Sequence, residues 1–342
     1  MKKEKKQYMQ AAVLKGPGKI QFVKNYRLPV INKDSILVKV VACGVCGSDI
    51  RIIKEGNNRV SYPKIIGHEI AGCIKAVGKN IKKFKINDKI SIGADVPSKK
   101  IKDLAIGYQI NGGYAEYLLL DSLILKYGPI QKFNSNLSYD LAALAEPLAC
   151  CLHGFEKMNV KKGLSFLIFG AGPIGIMLAS LAKFYGAKKI ILVEPENYRI
   201  SLAKKIIRGT FINPKKTNLV KKIMNLTKGK GIDRIFTACT NIQTHNQSIK
   251  VIGDSGIINF FGGISKSDPP IKVLSNTIHY KEISITGSHG ATPEHHKKAL
   301  KLLEKRKINL TKIISHKFPL SKISDALKKI NQKQTMKIII KP

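Results

Sequence analysis

The chain has 342 residues, 44% of them apolar, and carries 60 basic against 22 acidic side chains for a formal net charge of +38. That length exceeds the roughly 250 to 300 residues at which a single core stops growing, so two domains are expected. No run of about 18 apolar residues is present, and no apolar stretch follows the charged start MKKEKKQYMQ, so neither a membrane span nor a secretory signal is expected and the cytoplasm is the expected compartment.

The charge alone would suit a nucleic-acid or acidic-membrane partner, but only seven of the basic residues are arginine and the lysines run along the whole chain. They read as solvated faces that add a positive field able to draw in an anionic substrate or a dinucleotide, so no specific nucleic-acid partner is expected. The six cysteines are scattered through a large chain, which argues for metal or core roles over a disulfide framework.

From residue 11 to about 155 the pattern is of short strands separated by Gly, Pro and Asn: residues 36–42, 70–78, 88–94 and 112–120. This spacing predicts a small barrel-like β domain. The pattern then changes to continuous apolar runs at 164–170, 188–194, 231–239 and 255–263, alternating with helical segments such as PIGIMLASLAKFYGA. Buried parallel strands with crossover helices are the reading. The tail after about residue 289 holds two amphipathic helices and a closing strand, MKIIIKP, which needs a partner and is expected to rejoin the first domain. Residues 1–10 are expected to be a loose tail.

Gly170-Ala171-Gly172-Pro173-Ile174-Gly175 closes an apolar strand and opens a helix, the context a dinucleotide-binding turn requires. Gly170 makes the tight turn, Gly172 lets backbone approach pyrophosphate, and Gly175 lets helix meet strand, with the helix N-terminus facing the phosphates. Glu194 ends the next strand, about 20 residues on, where an acid accepts from ribose hydroxyls and repels a 2'-phosphate, so NAD is expected over NADP. Arg199 weakens that exclusion, or pairs with Glu194 or Glu196.

Cys46 lies in Cys43-Gly44-Val45-Cys46-Gly47-Ser48-Asp49, and Gly67-His68-Glu69 follows in a second strand-loop context. Thiolate and imidazole are ligands zinc prefers, and a catalytic site takes three protein ligands and keeps one position open. In this order and at these separations, G-V-C-G-S-D, G-H-E, A-E-P-L and G-A-G-P-I-G resemble the zinc-dependent medium-chain dehydrogenases, most of all the sorbitol (L-iditol) and threonine dehydrogenase branch.

The resemblance covers nearly the whole chain and implies an α/β protein. A GroES-like β-barrel catalytic domain (1–155 and 290–342) would carry an inserted Rossmann doubly wound parallel-sheet domain (156–289), with zinc in the cleft between them. It further implies Cys46 and His68 as zinc ligands, Glu69 as a ligand or a carboxylate close behind one, and Glu146 on the metal or its water. Cys150, one helical turn beyond Glu146, is a minor candidate thiolate. Asp49 is expected to orient the Cys46 loop.

The implied chemistry is oxidation of a secondary hydroxyl on a polyol-like molecule, zinc acting as Lewis acid and hydride passing to NAD. Ser48 matches the hydroxyl that takes the alcohol proton. Where relatives place His three residues later, this chain has Arg51, which cannot accept a proton. The relay is therefore expected to leave through ribose and water, with Arg51 on cofactor or on an anionic substrate group. Relatives also carry four cysteines for a structural zinc, but residues 91–114 contain none, so one catalytic zinc is expected.

His153 is expected to pack or support cofactor, His289 to approach the pocket, and His295 and His296 to be solvated. The strand at 283–286 is implied to join two Rossmann sheets edge to edge in a homodimer or homotetramer. A phosphorylated or acidic sugar alcohol and L-threonine are the alternative substrates. A basic nucleic-acid binder, which would explain the charge and none of the motifs, is the alternative outside enzymes.

Overall fold

In the computed structural model, which describes residues 7–97, 104–265, 267–332 and 334–342, the chain divides into two compact units. One comprises Met1–Ala149 with Gly290–Pro342, the other Cys150–His289.

The first unit is built from β-branched and apolar strands with polar breaks. Strands β1 (Tyr8–Leu14), β2 (Ile20–Arg27), β3 (Ile36–Gly44), β4 (Lys64–Ile65), β5 (Glu69–Val77), β6 (Lys89–Ile92), β7 (Tyr117–Leu120) and β8 (Ile130–Lys132) come from its first part. β1 pairs with β2 and β4 in a three-stranded antiparallel sheet. β3 is the hub of the larger sheet, antiparallel to both β5 and β7. Residues 8–10 therefore begin a strand instead of belonging to a loose tail, since Tyr8 to Leu14 can spend its backbone donors and acceptors on β2 and bury four consecutive residues, Ala11 to Leu14.

The second unit follows the alternating apolar pattern. β9 (Ser165–Phe169), β10 (Lys189–Val193), β11 (Thr210–Ile212), β12 (Ile232–Thr237), β13 (Ile252–Phe260) and β14 (Ser284–Gly287) form one sheet in the order β11-β10-β9-β12-β13-β14, every pairing parallel. This is the doubly wound order, with the switch point beside β9 where the chain reverses its direction of travel across the sheet. All five residues of β9 are buried, as a central strand covered on both faces must be.

The chain then returns to the first unit. β15 (Ile314–Pro319) and β16 (Lys337–Lys341) extend the larger sheet, β16 lying antiparallel to β3 with Ile339 opposite Gly44 and Ile340 opposite Cys43. The helix Pro293–Glu304 packs on this unit by an apolar face that includes His295 and His296, which are 6% and 1% exposed. Solvation was the wrong expectation for both. They start the helix on the same side as Ala299 and Leu300, and the lysines occupy the opposite side. Among the described residues no helix is long and apolar enough to cross a membrane.

Candidate metal centre and dinucleotide site

Cys46 caps the helix Gly47–Glu55, where its backbone N–H donates to Asp49 Oδ2 at 2.9 Å. The same Asp49 is fully buried, accepts from the Tyr114 hydroxyl at 2.8 Å, and sets its other oxygen 3.2 Å from His68 Nδ1. One carboxylate thus holds the Cys46 turn and the His68 ring together. Burial pushes the Asp49 carboxyl up, but His68 and the N–H and O–H donors overcome it and hold it below the usual range. Burial likewise pushes His68 down, and Asp49 overcomes this to raise it well above the ordinary imidazole value.

Gly67, immediately before His68, has φ +93°, and a Cβ there would lie 2.8 Å from the Tyr114 ring. Only glycine gives that turn and that contact together. Glu69 opens β5, and its carboxylate meets Cys46 and His68: one ligand atom from each lies within 4.8 Å of the others. Thiolate, imidazole and carboxylate so grouped fit zinc in chemistry and in the three protein ligands a catalytic site takes.

Two partners of this group escaped the sequence. Lys337, in β16, is 3% exposed and donates to Glu69 Oε1 at 2.6 Å, to Oε2 at 2.8 Å and to the Val45 carbonyl at 3.1 Å. The signal available was a lysine ahead of the apolar run of the closing strand, where a cation must be paired if it is buried. Tyr108 sets its ring 5.8 Å from that of His68, and burial raises its hydroxyl above the ordinary phenol value, with His68 and Ser48 opposing the rise. The Arg59 guanidinium carbon lies 4.6 Å from the centre of the Tyr108 ring. No local pattern announces Tyr108.

Glu146, in the helix Ala145–Glu156, is 7% exposed and does not join the Cys46, His68 and Glu69 group, and neither does Cys150. Burial, then repulsion from Glu69 and Asp95, pushes its carboxyl up to about 7, against the pull of His68 and Lys337. It lines a small cavity with Gly93, Asp95, Thr292 and His296. His296 Nε2 lies 3.0 Å from Ser91 Oγ, which donates to the Ala142 carbonyl at 2.7 Å. Ser91 must therefore accept from His296, which places the imidazole proton on Nε2 and leaves Nδ1 as an acceptor. Arg51 and His289 are exposed, and His153 is half-buried.

In the second unit, Gly170 turns sharply at φ +100° and Gly172 caps the helix Pro173–Phe184, with Pro173 at its first position and Ile174 following. A Cβ on Gly175 would meet the Gly170 carbonyl at 1.9 Å, so strand and helix close only over glycine. Glu194 is 3% exposed and accepts from Ala171 N–H at 2.9 Å and Glu196 N–H at 3.1 Å. Among the described residues, no ion pair joins Arg199 to Glu194 or Glu196. Arg199 Nη1 instead lies 3.9 Å from where a Gly172 Cβ would be, and its buried Nε has no hydrogen-bond partner.

A glycine turn feeding a helix at the switch of a parallel sheet defines a dinucleotide-binding unit, and the cysteine, histidine and carboxylate group defines a zinc-type centre in the other; together they mark a metal- and dinucleotide-dependent oxidoreductase. Residues 32–127 match the family described as alcohol dehydrogenase GroES-like domain, and residues 173–305 match zinc-binding dehydrogenase. A D-arabitol-phosphate dehydrogenase of Enterococcus avium is 30% identical over 92% of this chain and 91% of its own. A sorbitol dehydrogenase of Bacillus subtilis is 26% identical over 98% of each. A zinc-binding dehydrogenase from Sinorhizobium meliloti, solved with NADP, shares the fold with a TM-score of 0.89 at 24% identity, covering 98% of this chain and 99% of that one. The chain belongs to the zinc-dependent medium-chain dehydrogenase family and is an alcohol oxidoreductase.

Proposed function

We propose that this enzyme oxidises a secondary hydroxyl of a polyol-like small molecule, with NAD as hydride acceptor and one zinc ion per subunit. The observation that carries the reading is the meeting of Cys46, His68 and Glu69 ligand atoms within 4.8 Å, with Ser48 two residues from the thiolate. Cys46 and His68 would hold the metal with Glu69 beside them, and Glu146, outside that group, would act on the metal's water rather than on the metal. Bound there, zinc supplies Lewis-acid polarisation of the substrate oxygen.

The chain's own residues do the rest. Asp49 keeps Cys46 and His68 aligned, and Lys337 holds the Glu69 carboxylate so that its charge stays buried beside the centre. Ser48, two residues after Cys46, receives the substrate's hydroxyl proton. The products are ketone, NADH and a proton released to solvent; Arg51 takes no part as a base.

Glu194 supports NAD over NADP, because a buried carboxylate held by two backbone donors cannot swing away from a 2'-phosphate. Arg199 beside Gly172 supports some tolerance of NADP. β14, at the edge of the parallel sheet, supports a homodimer or a dimer of dimers, and six free cysteines suit the cytoplasm. A second reading, oxidation of a phosphorylated or acidic polyol, is favoured by Arg59 over Tyr108. An NAD-reduction screen over polyols, sugar phosphates, cyclitols and L-threonine, with zinc measured on the same sample, tests the proposal. It expects activity on a polyol class with close to one zinc per chain; two zincs, or no alcohol oxidised, would overturn it.

A further inference from the structure

We infer that His296 is a positioning residue for the reaction: its Nδ1 holds one buried water, and that water ties the ring to the Glu146 carboxyl. The inference rests on the reading of Glu146 as the group that acts on the metal's water, and adds the device that holds it.

His296 is fixed at both ends. Its backbone N–H donates to the Thr292 carbonyl at 3.1 Å in the first turn of the helix Pro293–Glu304, and its ring Nε2 lies 3.0 Å from Ser91 Oγ. Ser91 spends its own proton on the Ala142 carbonyl at 2.7 Å, so the imidazole proton sits on Nε2 and Nδ1 carries a lone pair. The ring is 1% exposed, Nδ1 is itself buried, and no described residue gives it a hydrogen bond. An unsatisfied buried acceptor is costly, and protein interiors meet such groups with water where there is room.

Gly93 supplies the room. A Cβ there would lie 3.0 Å from Nδ1, so the space beside that nitrogen belongs to the cavity that Gly93, Asp95, Pro129, Glu146 and His296 line. Its volume is about 10 Å³, close to the least that one water needs and too small for a second. A water also needs at least two polar partners, and Nδ1 takes one of its hydrogens. An ionised Glu146 takes the other, and a protonated one donates to the water oxygen, so the link holds in either state. With about four acceptor positions, a carboxylate can do this beside the contacts it already makes. Asp95 is the weaker second partner, because its Oδ2 is spent on the Ala291 N–H at 3.0 Å and the residue is only partly buried. Burial lowers His296 to about 4, which keeps the ring neutral and the lone pair available. A glutamate side chain on a helix has several rotamers, and a water pinned to a ring that cannot move selects one. That selection matters for a group acting on the metal's water, because misplacement costs rate.

Two amide variants separate the ring's nitrogens. His296→Asn puts an acceptor near the Nδ1 position and gives up Ser91, whereas His296→Gln reaches Ser91 and gives up Nδ1. Crystal structures, zinc-free and zinc-loaded, should show a wild-type water within about 2.7 to 3.2 Å of both Nδ1 and a Glu146 oxygen. His296→Asn should keep that water and His296→Gln should lose it. With NAD and the best polyol of the screen above, His296→Gln should lose about tenfold in kcat with KM within about twofold, and His296→Asn should keep kcat within about threefold.

No water in wild type, or one that meets Asp95 and not Glu146, would overturn the inference whether or not the variants fold. Equal losses of kcat in the two variants would also overturn it, by reducing the role of His296 to its contact with Ser91, and so would full kcat in His296→Gln. Full kcat in Glu146→Gln would sink the reading of Glu146 and the positioning role with it, while the structures still decided the water. If no alcohol is oxidised, the polyol reading fails and the same structures decide the water alone: it stands if wild type and His296→Asn hold it and His296→Gln does not, and falls otherwise.

Discussion

Replacing Lys337 with Met tests whether the metal centre depends on a buried cation from the far end of the chain. The ammonium is 3% exposed and the Glu69 carboxylate it holds is fully buried, with contacts of 2.6 and 2.8 Å and a third to Val45. Burial alone would lower Lys337, yet Glu69 raises it above the ordinary lysine value, the mark of a pair that favours both charges. Methionine keeps most of the volume and removes the charge, which leaves a carboxylate without its counter-ion in the interior. Breaking such a pair costs about 3 to 5 kcal/mol. Removing both charges in Lys337→Met with Glu69→Leu should recover most of that, because a dry pair of matched apolar side chains replaces the ions without an orphan. The assay is urea unfolding of chelator-stripped protein, followed in the first unit, over the four corners of the cycle. A loss under about 1 kcal/mol in Lys337→Met, or no recovery in the double variant, would refute the reasoning. Zinc should rescue the single variant more than it stabilises wild type, since a divalent cation restores the missing positive charge.

Three further outcomes follow from the same coordinates. His296, held by burial at a pKa of about 4 against an ordinary 6.5, is neutral when folded; its contribution to stability is complete above about pH 6.5 and is lost as the pH falls toward 4, a swing of about 3 kcal/mol. The stability difference between wild type and His296→Gln should therefore shrink by that much from pH 7 to pH 4, and a flat difference would count against the buried neutral ring; Glu146 titrates with the opposite sign but is common to both proteins. In the second unit, the Arg234 guanidinium donates to the carbonyls of Met158, Asp233 and Asn159, so Arg234→Met should destabilise that unit by about 2 to 4 kcal/mol in denaturant, and a change below 0.5 kcal/mol, about the size of an ordinary surface substitution, would deny the clamp. Glu194→Ser should raise kcat/KM with NADP relative to NAD by about tenfold, and Arg199→Ala should weaken NADP more than NAD. Equal effects on both cofactors would remove these residues from the 2'-phosphate question.

Much of this protein could be read in sequence because the features are local. The glycine turn from Gly170 to Gly175 needs only a strand before it and a helix after it, and both are written in the apolar runs on either side. Cys46 and His68 stand out because each follows an apolar stretch and sits beside glycine, and the parallel sheet shows itself in strands too apolar for one wet face. The contacts that complete the centre are not local. Lys337 reaches Glu69 across 268 positions of sequence, Tyr108 meets His68 because residues 109–114 hydrogen-bond beside Lys64–Gly67, and Arg59 meets Tyr108 from another turn. Each is an ordinary residue until a distant segment packs against it. His295 and His296 show the same limit, since a lysine-rich stretch reads as solvated while its helix turns two imidazoles inward. Periodicity and motif spacing settle which elements form and which chemistry they carry; only packing between segments far apart in the chain decides which charges are paired and which rings lie against the Cys46, His68 and Glu69 group.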